Sequence, residues 1–306
     1  MLGDLWRNLR YGARSLRNIF CGGIKMSKTT WLFLIVLMAI FVIAPLKFAA
    51  GIQSREFRKT VEFAPGSDLR FNTDKGSVRM TSWDQGRIEI YARIEPPEGV
   101  DADYGRRAVE GARIEVSGDA RSLTIRSNFD DVPYKDGEGR SRSLPNIHYE
   151  IRAPRSLNLN LGADRCKVEV QGFAGRIRID TDRTPVAAND LSGEIQIRMD
   201  RGKATVTRFQ GRLDLQTDRT DSQLQAVRIE GDSRLNVGRG ECELKIPGSQ
   251  GLTLHSRLSR RERLYNDFEL TVNNLNDRNN VEGVINGGGP RLTIEGDRSV
   301  IRLKRY

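Results

Sequence analysis

Asp-Arg occurs at Asp164–Arg165, Asp182–Arg183, Asp200–Arg201 and Asp218–Arg219, each pair eighteen residues after the last. Two chemistries fit charges spaced so evenly. A line of guanidinium groups matches repeating phosphates or carboxylates, because each planar fork grips an oxyanion through parallel N–H donors. Arg165, Arg183, Arg201 and Arg219 are therefore a candidate polyanion-binding edge. The second chemistry is internal: each Asp faces the Arg of a neighbouring repeat, and the charges fix register. The internal chemistry is the expectation, with Asp also bonding backbone N–H groups of its own turn. Catalysis by acids needs carboxylates that converge in a groove. Acids placed one per repeat run in a line instead.

The other reactive residues form no pattern. His148 and His255 lie far apart, and His148 alternates with Tyr149 and Ile151 as a strand-surface residue does. No Ser-His-Asp order, phosphate loop or zinc spacing can be read. No catalytic residue, cofactor or metal is expected, and the chain is not expected to be an enzyme. A polysaccharide-acting β-helix enzyme is the less favoured alternative. Cys166 and Cys242 stand 76 residues apart, some four repeats, which is ~19 Å if the repeats stack. A disulfide needs Cα atoms within about 7 Å, so both are expected as small core side chains.

Around these pairs every apolar position recurs at eighteen residues. Leu159 and Leu161 align with Ile177 and Ile179, Ile195 and Ile197, and Leu213 and Leu215. Val168 and Val170 align with Val186 and Ala188, then Ala204 and Val206. Phe173 aligns with Leu191 and Phe209. Within a repeat apolar and polar residues alternate, the period of a half-buried strand. Two strands fit in each repeat. One turn carries Asp-Arg and the other Gly175, Gly193 or Gly211. Hairpins do not require equal lengths, whereas coils that lie on one another do. The fold class expected is all-β: a parallel β-solenoid of about 18 residues per coil. It begins near residue 60 and closes at Gly296–Asp297–Arg298 and the strand VIRLK. After Thr220 the interval lengthens to twenty, which aligns Leu224, Ala226 and Ile229 with Ala204, Val206 and Phe209. Residues 95–112 are expected to hold a short helix and 127–146 a polar loop.

The chain of 306 residues carries 50 basic and 40 acidic residues, a net charge of +10. Residues 1–50 hold seven of the basic residues and one acid, so the body is only mildly basic. No basic run with interleaved aromatics occurs there, which argues against a nucleic-acid surface. Trp31 to Leu46 contains no charged residue, and Phe48 to Ile52 resume after Lys47. Counted with a snorkelling Lys47, the run is about 22 residues or ~33 Å as helix, enough to span a bilayer. The six basic residues before it put the N-terminus in the cytoplasm. Small residues are lacking at the −3 position of a cleavage site after Ala49 or Ala50, so the segment is expected to remain as an anchor. The organisation expected is a cytoplasmic basic amphipathic segment over 1–30, a transmembrane signal-anchor over 31–52 and an extracytoplasmic domain over 53–306.

The order FAPGSDLRF, GSVRMTSWDQGRIEIYA, YEIRAPRSLNLNL, the eighteen-residue repeats, LKIP, YNDFEL and NGGGPRLTI resembles the bacterial DUF4097 family of β-strand-repeat, adhesin-like proteins. The likeness covers about residues 55–306. It implies a β-helix-like domain, often behind a membrane anchor, with no established activity. The family's turn usually contains glycine; here Asp-Arg is followed by Cys166, Thr184, Gly202 or Thr220, so that only Gly202 and the earlier Gly76 keep it. LWRNLRYGARSLRN, near the N-terminus, resembles the opening of MacB-like permeases of ABC transporters. The function expected is non-catalytic binding or scaffolding at the cell envelope. The alternative is an accessory or sensor subunit of a membrane complex, such as a transporter or an envelope-stress system. The partners expected are the membrane and either an envelope polyanion or a membrane protein complex, and not nucleic acid.

Overall fold

A computed structural model describes residues 54–135, 141–259, 263–275 and 280–306. The expected basic segment 1–30 and membrane span 31–52 lie outside the described residues, as does Cys21. Among the described residues no helix is long and apolar enough to cross a membrane.

Strands β1 (Arg55–Glu62), β2 (Asp68–Thr73), β3 (Gly76–Trp83) and β4 (Arg87–Glu95) precede one helix, α1 (Ala102–Gly111). Then come β5 (Arg113–Gly118), β6 (Ser122–Asn128), β7 (Asn146–Pro154), β8 (Asn158–Asp164) and β9 (Cys166–Gln171). The run β10 (Ala174–Ile229) is extended for 56 residues. After it follow β11 (Ser233–Val237), β12 (Gly240–Ile246), β13 (Leu252–Arg257) and β14 (Arg263–Asn266). The last are β15 (Thr271–Leu275), β16 (Val281–Ile285), β17 (Arg291–Gly296) and β18 (Ser299–Arg305).

The all-β class holds. The eighteen-residue interval is the register of the sheet: Ile177 pairs with Leu159 and Ile179 with Leu161 in parallel, and Val186 pairs with Val168. The inward columns are the apolar ones. Leu159, Leu161, Ile177, Ile179, Ile195, Ile197, Leu213 and Leu215 are all at most 2% exposed. Burying each such side chain contributes about 1.5–3 kcal/mol, so a register slip of one residue would turn a whole column to water. The glycine column serves a different need. A Cβ on Gly193 would lie 2.4 Å from the Gly175 carbonyl oxygen, and one on Gly211 would lie 1.9 Å from that of Gly193. Only glycine lets the backbones of successive units approach so closely at this corner.

Three expectations are corrected. First, the sheet of eighteen strands is mixed, not purely parallel. β4 runs antiparallel to both β1 and β7, β5 to β6, and β16 to both β13 and β15. Second, chain order is not spatial order at the ends. β2 lies between β6 and β8, and β3 between β7 and β9. At the other end β17 lies between β11 and β13, and β18 between β12 and β14. The final strands therefore do not close the stack; they are intercalated one unit in from its end. Third, Ala226 is not an inward residue. It takes a left-handed conformation, φ 53°, and Val227 fills the core position at 0% exposed. Arg208, eighteen residues earlier, has the same conformation, φ 55°, so the interval is still eighteen at this corner and lengthens after it, where Leu215 pairs with Leu235.

The helix forms where expected. Asp101 caps it, accepting from the Tyr104 N–H at 2.8 Å. Its buried face, Tyr104, Ala108 and Val109, joins the common core. Arg55 of β1 donates to the carbonyls of Glu110 and Ala112 at the helix end, and Lys59 reaches Val116 of β5. The helix end, β1 and β5 are thus tied together at this end of the stack.

Candidate functional site

The Asp-Arg turns lie on one edge, one above another. Arg183 lies 3.5 Å from Asp164 of the preceding unit and 3.1 Å from Asp182 of its own turn. Arg201 repeats this with Asp182 at 3.5 Å and Asp200 at 3.2 Å. Arg219 does so with Asp200 at 2.7 Å and Asp218 at 3.2 Å. Arg239 continues the series onto Asp218 at 2.7 Å. Arg165, at the start, pairs with Asp164 at 2.9 Å. Each central guanidinium therefore sits between two carboxylates. The Arg239 hydrogen bond, with help from its backbone N–H, holds Asp218 down at about 2.

Within the turn Arg takes the left-handed conformation: φ is 48° at Arg165, 51° at Arg183, 61° at Arg201 and 50° at Arg219. For a non-glycine residue this costs about 1–2 kcal/mol. The Asp side chains turn to the neighbouring unit; Asp218 Oδ1 accepts from the Arg239 N–H at 3.2 Å. The residue after Arg satisfies the turn. The Thr184 hydroxyl donates to the Asp182 carbonyl at 2.8 Å, and Thr220 does the same to Asp218 at 2.9 Å. Cys166 Sγ lies 3.0 Å from the Asp164 carbonyl. Small donors thus stand where glycine stands in Gly202. Cys166 and Cys242 are buried free thiols, pushed up to about 12 by that burial.

A second arrangement was not visible in the sequence. On the outer face of β9, β3, β7, β4 and β1, residues from distant segments fall in register. One row reads Lys167, Ser77, His148, Arg93 and Glu56. The next reads Glu169, Arg79, Glu150, Tyr91 and Arg58. The third reads Gln171, Thr81, Arg152, Glu89 and Thr60. Two adjoining clefts of about 420 and 560 Å³ open over these rows and share Arg79, Tyr91 and Glu150. Glu169 is gripped by Lys167 at 2.6 Å and Arg79 at 2.8 Å, which holds its carboxyl below the usual range. The Tyr91 hydroxyl donates to Glu56 at 3.1 Å, and Arg58 lies over its ring at 5.0 Å.

His148 is a strand-surface residue, as expected, but it has partners. Its Nδ1 lies 2.8 Å from Ser77 Oγ and its Nε2 3.2 Å from Glu95 Oε2. The order Ser-His-Glu is that of a hydrolytic triad. However, β3 is paired on both edges, with β7 and β9. Its backbone N–H groups belong to the sheet and do not form an oxyanion hole beside Ser77. His255 is paired elsewhere, with Glu282 at 2.7 Å. Among the described residues no three His, Cys, Asp or Glu side chains group as metal ligands.

No family model matches the chain, and no curated protein does. Solved structures do. The chain is similar to a "putative cell adhesion protein" from Clostridium sporogenes, at 12% identity and a TM-score of 0.39, over 83% of this chain and 100% of that one. It is similar to a "putative adhesin" from Parabacteroides merdae, at 8% identity and a TM-score of 0.36, over 81% and 96%. A "putative lipid binding protein" from Parabacteroides distasonis matches at 12% identity and a TM-score of 0.25, over 82% and 97%. At these scores the function of this chain has to be argued from its own geometry.

Proposed function

We propose that this chain is a non-catalytic binding or scaffolding module of the bacterial cell envelope, adhesin-like in kind. Residues 31–52 anchor it in the membrane with 1–30 in the cytoplasm, and residues 53–306 stand outside as a β-solenoid. The observation that carries this reading is the ladder. Arg183, Arg201 and Arg219 each bridge the Asp of their own turn and that of the preceding unit. A second column behaves alike, with Glu194 between Arg176 and Arg212 at 3.6 Å each. Charges used in this way hold successive units in register. They support presentation of an extended surface more than chemistry at one point. The Arg edge serves this register role first, and polyanion binding there is the competing use of the same side chains.

Protease added to spheroplasts tests the arrangement. Residues 60–306 should be degraded while a fragment containing 1–52 stays with the membrane. An intact soluble form beginning near residue 50 would reject the anchor. Deleting residues 1–25 separates the module from a coupled subunit: a module keeps its binding, whereas a subunit of a membrane complex loses its partner.

A further inference from the structure

We infer that the outer face around Tyr91 is a binding site for an acidic glycan, a polymer of carboxylated sugars. This rests on the envelope-binding reading and names its ligand class. Four features of the site point the same way. Arg79 and Arg152 lie on neighbouring strands at adjacent rows, with Glu150 opposite Arg79 and two residues from Arg152. Among the described residues Arg152, an exposed side chain lining the larger cleft, has no ion-pair partner. Arg79 shares its Glu169 with Lys167, so one carboxylate serves two cations there. Tyr91 stands at the centre, in register with Glu150 on one side and Arg58 on the other.

The mixture of signs decides the ligand. Guanidinium forks bind carboxylates or phosphates. A bare polyphosphate offers acceptors only, and Glu150 in the middle of the row would repel it. A carboxylated sugar offers both an anion for Arg79 or Arg152 and hydroxyl donors for Glu150. Its ring also has an apolar face that can lie on Tyr91 in place of the Arg58 guanidinium, which covers that ring at 5.0 Å. The Asp-Arg edge lacks this combination, because its guanidinium groups are already held between carboxylates and no aromatic ring lines its groove.

The full chain in detergent micelles should be titrated with polygalacturonate, inorganic polyphosphate and dextran at low and at 0.5 M salt, roughly the range over which exposed charge pairs become screened. Polygalacturonate should bind tightest and dextran weakest. Arg79→Gln with Arg152→Gln should weaken polygalacturonate binding about tenfold or more, the loss expected for one to two charged hydrogen bonds. Glu150→Gln gives the opposite sign for the two anions: weaker for polygalacturonate, unchanged or tighter for polyphosphate. All are exposed substitutions, and Arg152→Gln alone touches no ion pair, so it reports binding even if the double variant folds poorly. Polyphosphate binding as tightly as polygalacturonate, or Glu150→Gln strengthening both, would reduce the site to ion exchange and overturn the inference. No binding of polygalacturonate to the unaltered chain would overturn it as well. If the spheroplast result holds in that case, the anchored module stands and only its ligand class is lost.

Discussion

Arg219 lies across Asp200 of the preceding unit, with Nη2 at 2.7 Å from one carboxylate oxygen and 2.8 Å from the other, while its Nε reaches Asp218 of its own turn at 3.2 Å. This diagonal answers the repulsion that a column of like charges would otherwise produce. With ~4.8 Å between stacked strands, each Arg would face an Arg and each Asp an Asp. The bridge instead makes every neighbour along the edge an opposite charge.

Replacing Arg183, Arg201 and Arg219 together with Gln should therefore lower the melting temperature modestly. Exposed pairs of this kind contribute about 0.2–1 kcal/mol each. Retention on an anionic polymer column should not change. Salt-sensitive loss of retention at unchanged stability would make this edge, and not the face around Tyr91, the binding surface.

The register makes a sharp distinction between adjacent residues. Ile197 is 0% exposed and Arg198 is exposed on the outer face. Ile197→Asp buries a charge without a partner and should cost several kcal/mol. Arg198→Asp should stay within about 0.5 kcal/mol. Urea denaturation of both variants measures this, and equal effects would mean that the strand faces are assigned wrongly.

Much of this was legible in advance, because the repeat writes its core in apolar residues at one interval. The pairings of Ile177 with Leu159 and Val186 with Val168 follow from that interval alone. The corners were less legible. Gly172, Asp190, Arg208 and Ala226 stand eighteen residues apart and all have positive φ, yet their types share nothing. Here tertiary stacking imposes a conformation that local sequence does not announce. The Tyr91 face was hidden for a different reason. Its rows join residues from five strands, and their register follows from the intercalation of β2–β3 and from antiparallel pairing of β4. Neither leaves a periodic signal.

Acid should destabilise the protein through its paired carboxylates. Asp218 is held down at about 2 from an ordinary 3.8. Arg208 lowers Asp190, and Lys304 lowers Glu243, in the same direction. A carboxylate with a depressed folded value contributes stability above its unfolded value and loses it as pH falls through the folded one. The melting temperature should thus fall between about pH 4 and pH 2, and Arg239→Gln should flatten part of that fall. A melting temperature constant over this window would show that the ladder carries no stability.

The central claim is that the chain forms one stack in register, with its final strands intercalated between β11–β12 and β13–β14. Hydrogen exchange under native conditions tests it most directly, because protection follows position in the stack and not position in the chain. The amides of Leu292, Ile294, Ile301 and Leu303, all 0% exposed, should exchange about as slowly as those of Ile195 and Ile197. Strands β14 and β15, paired on one side only, should exchange faster. Rapid exchange over residues 291–305, with slow exchange over 263–275, would place the chain's end at the end of the stack and contradict the account.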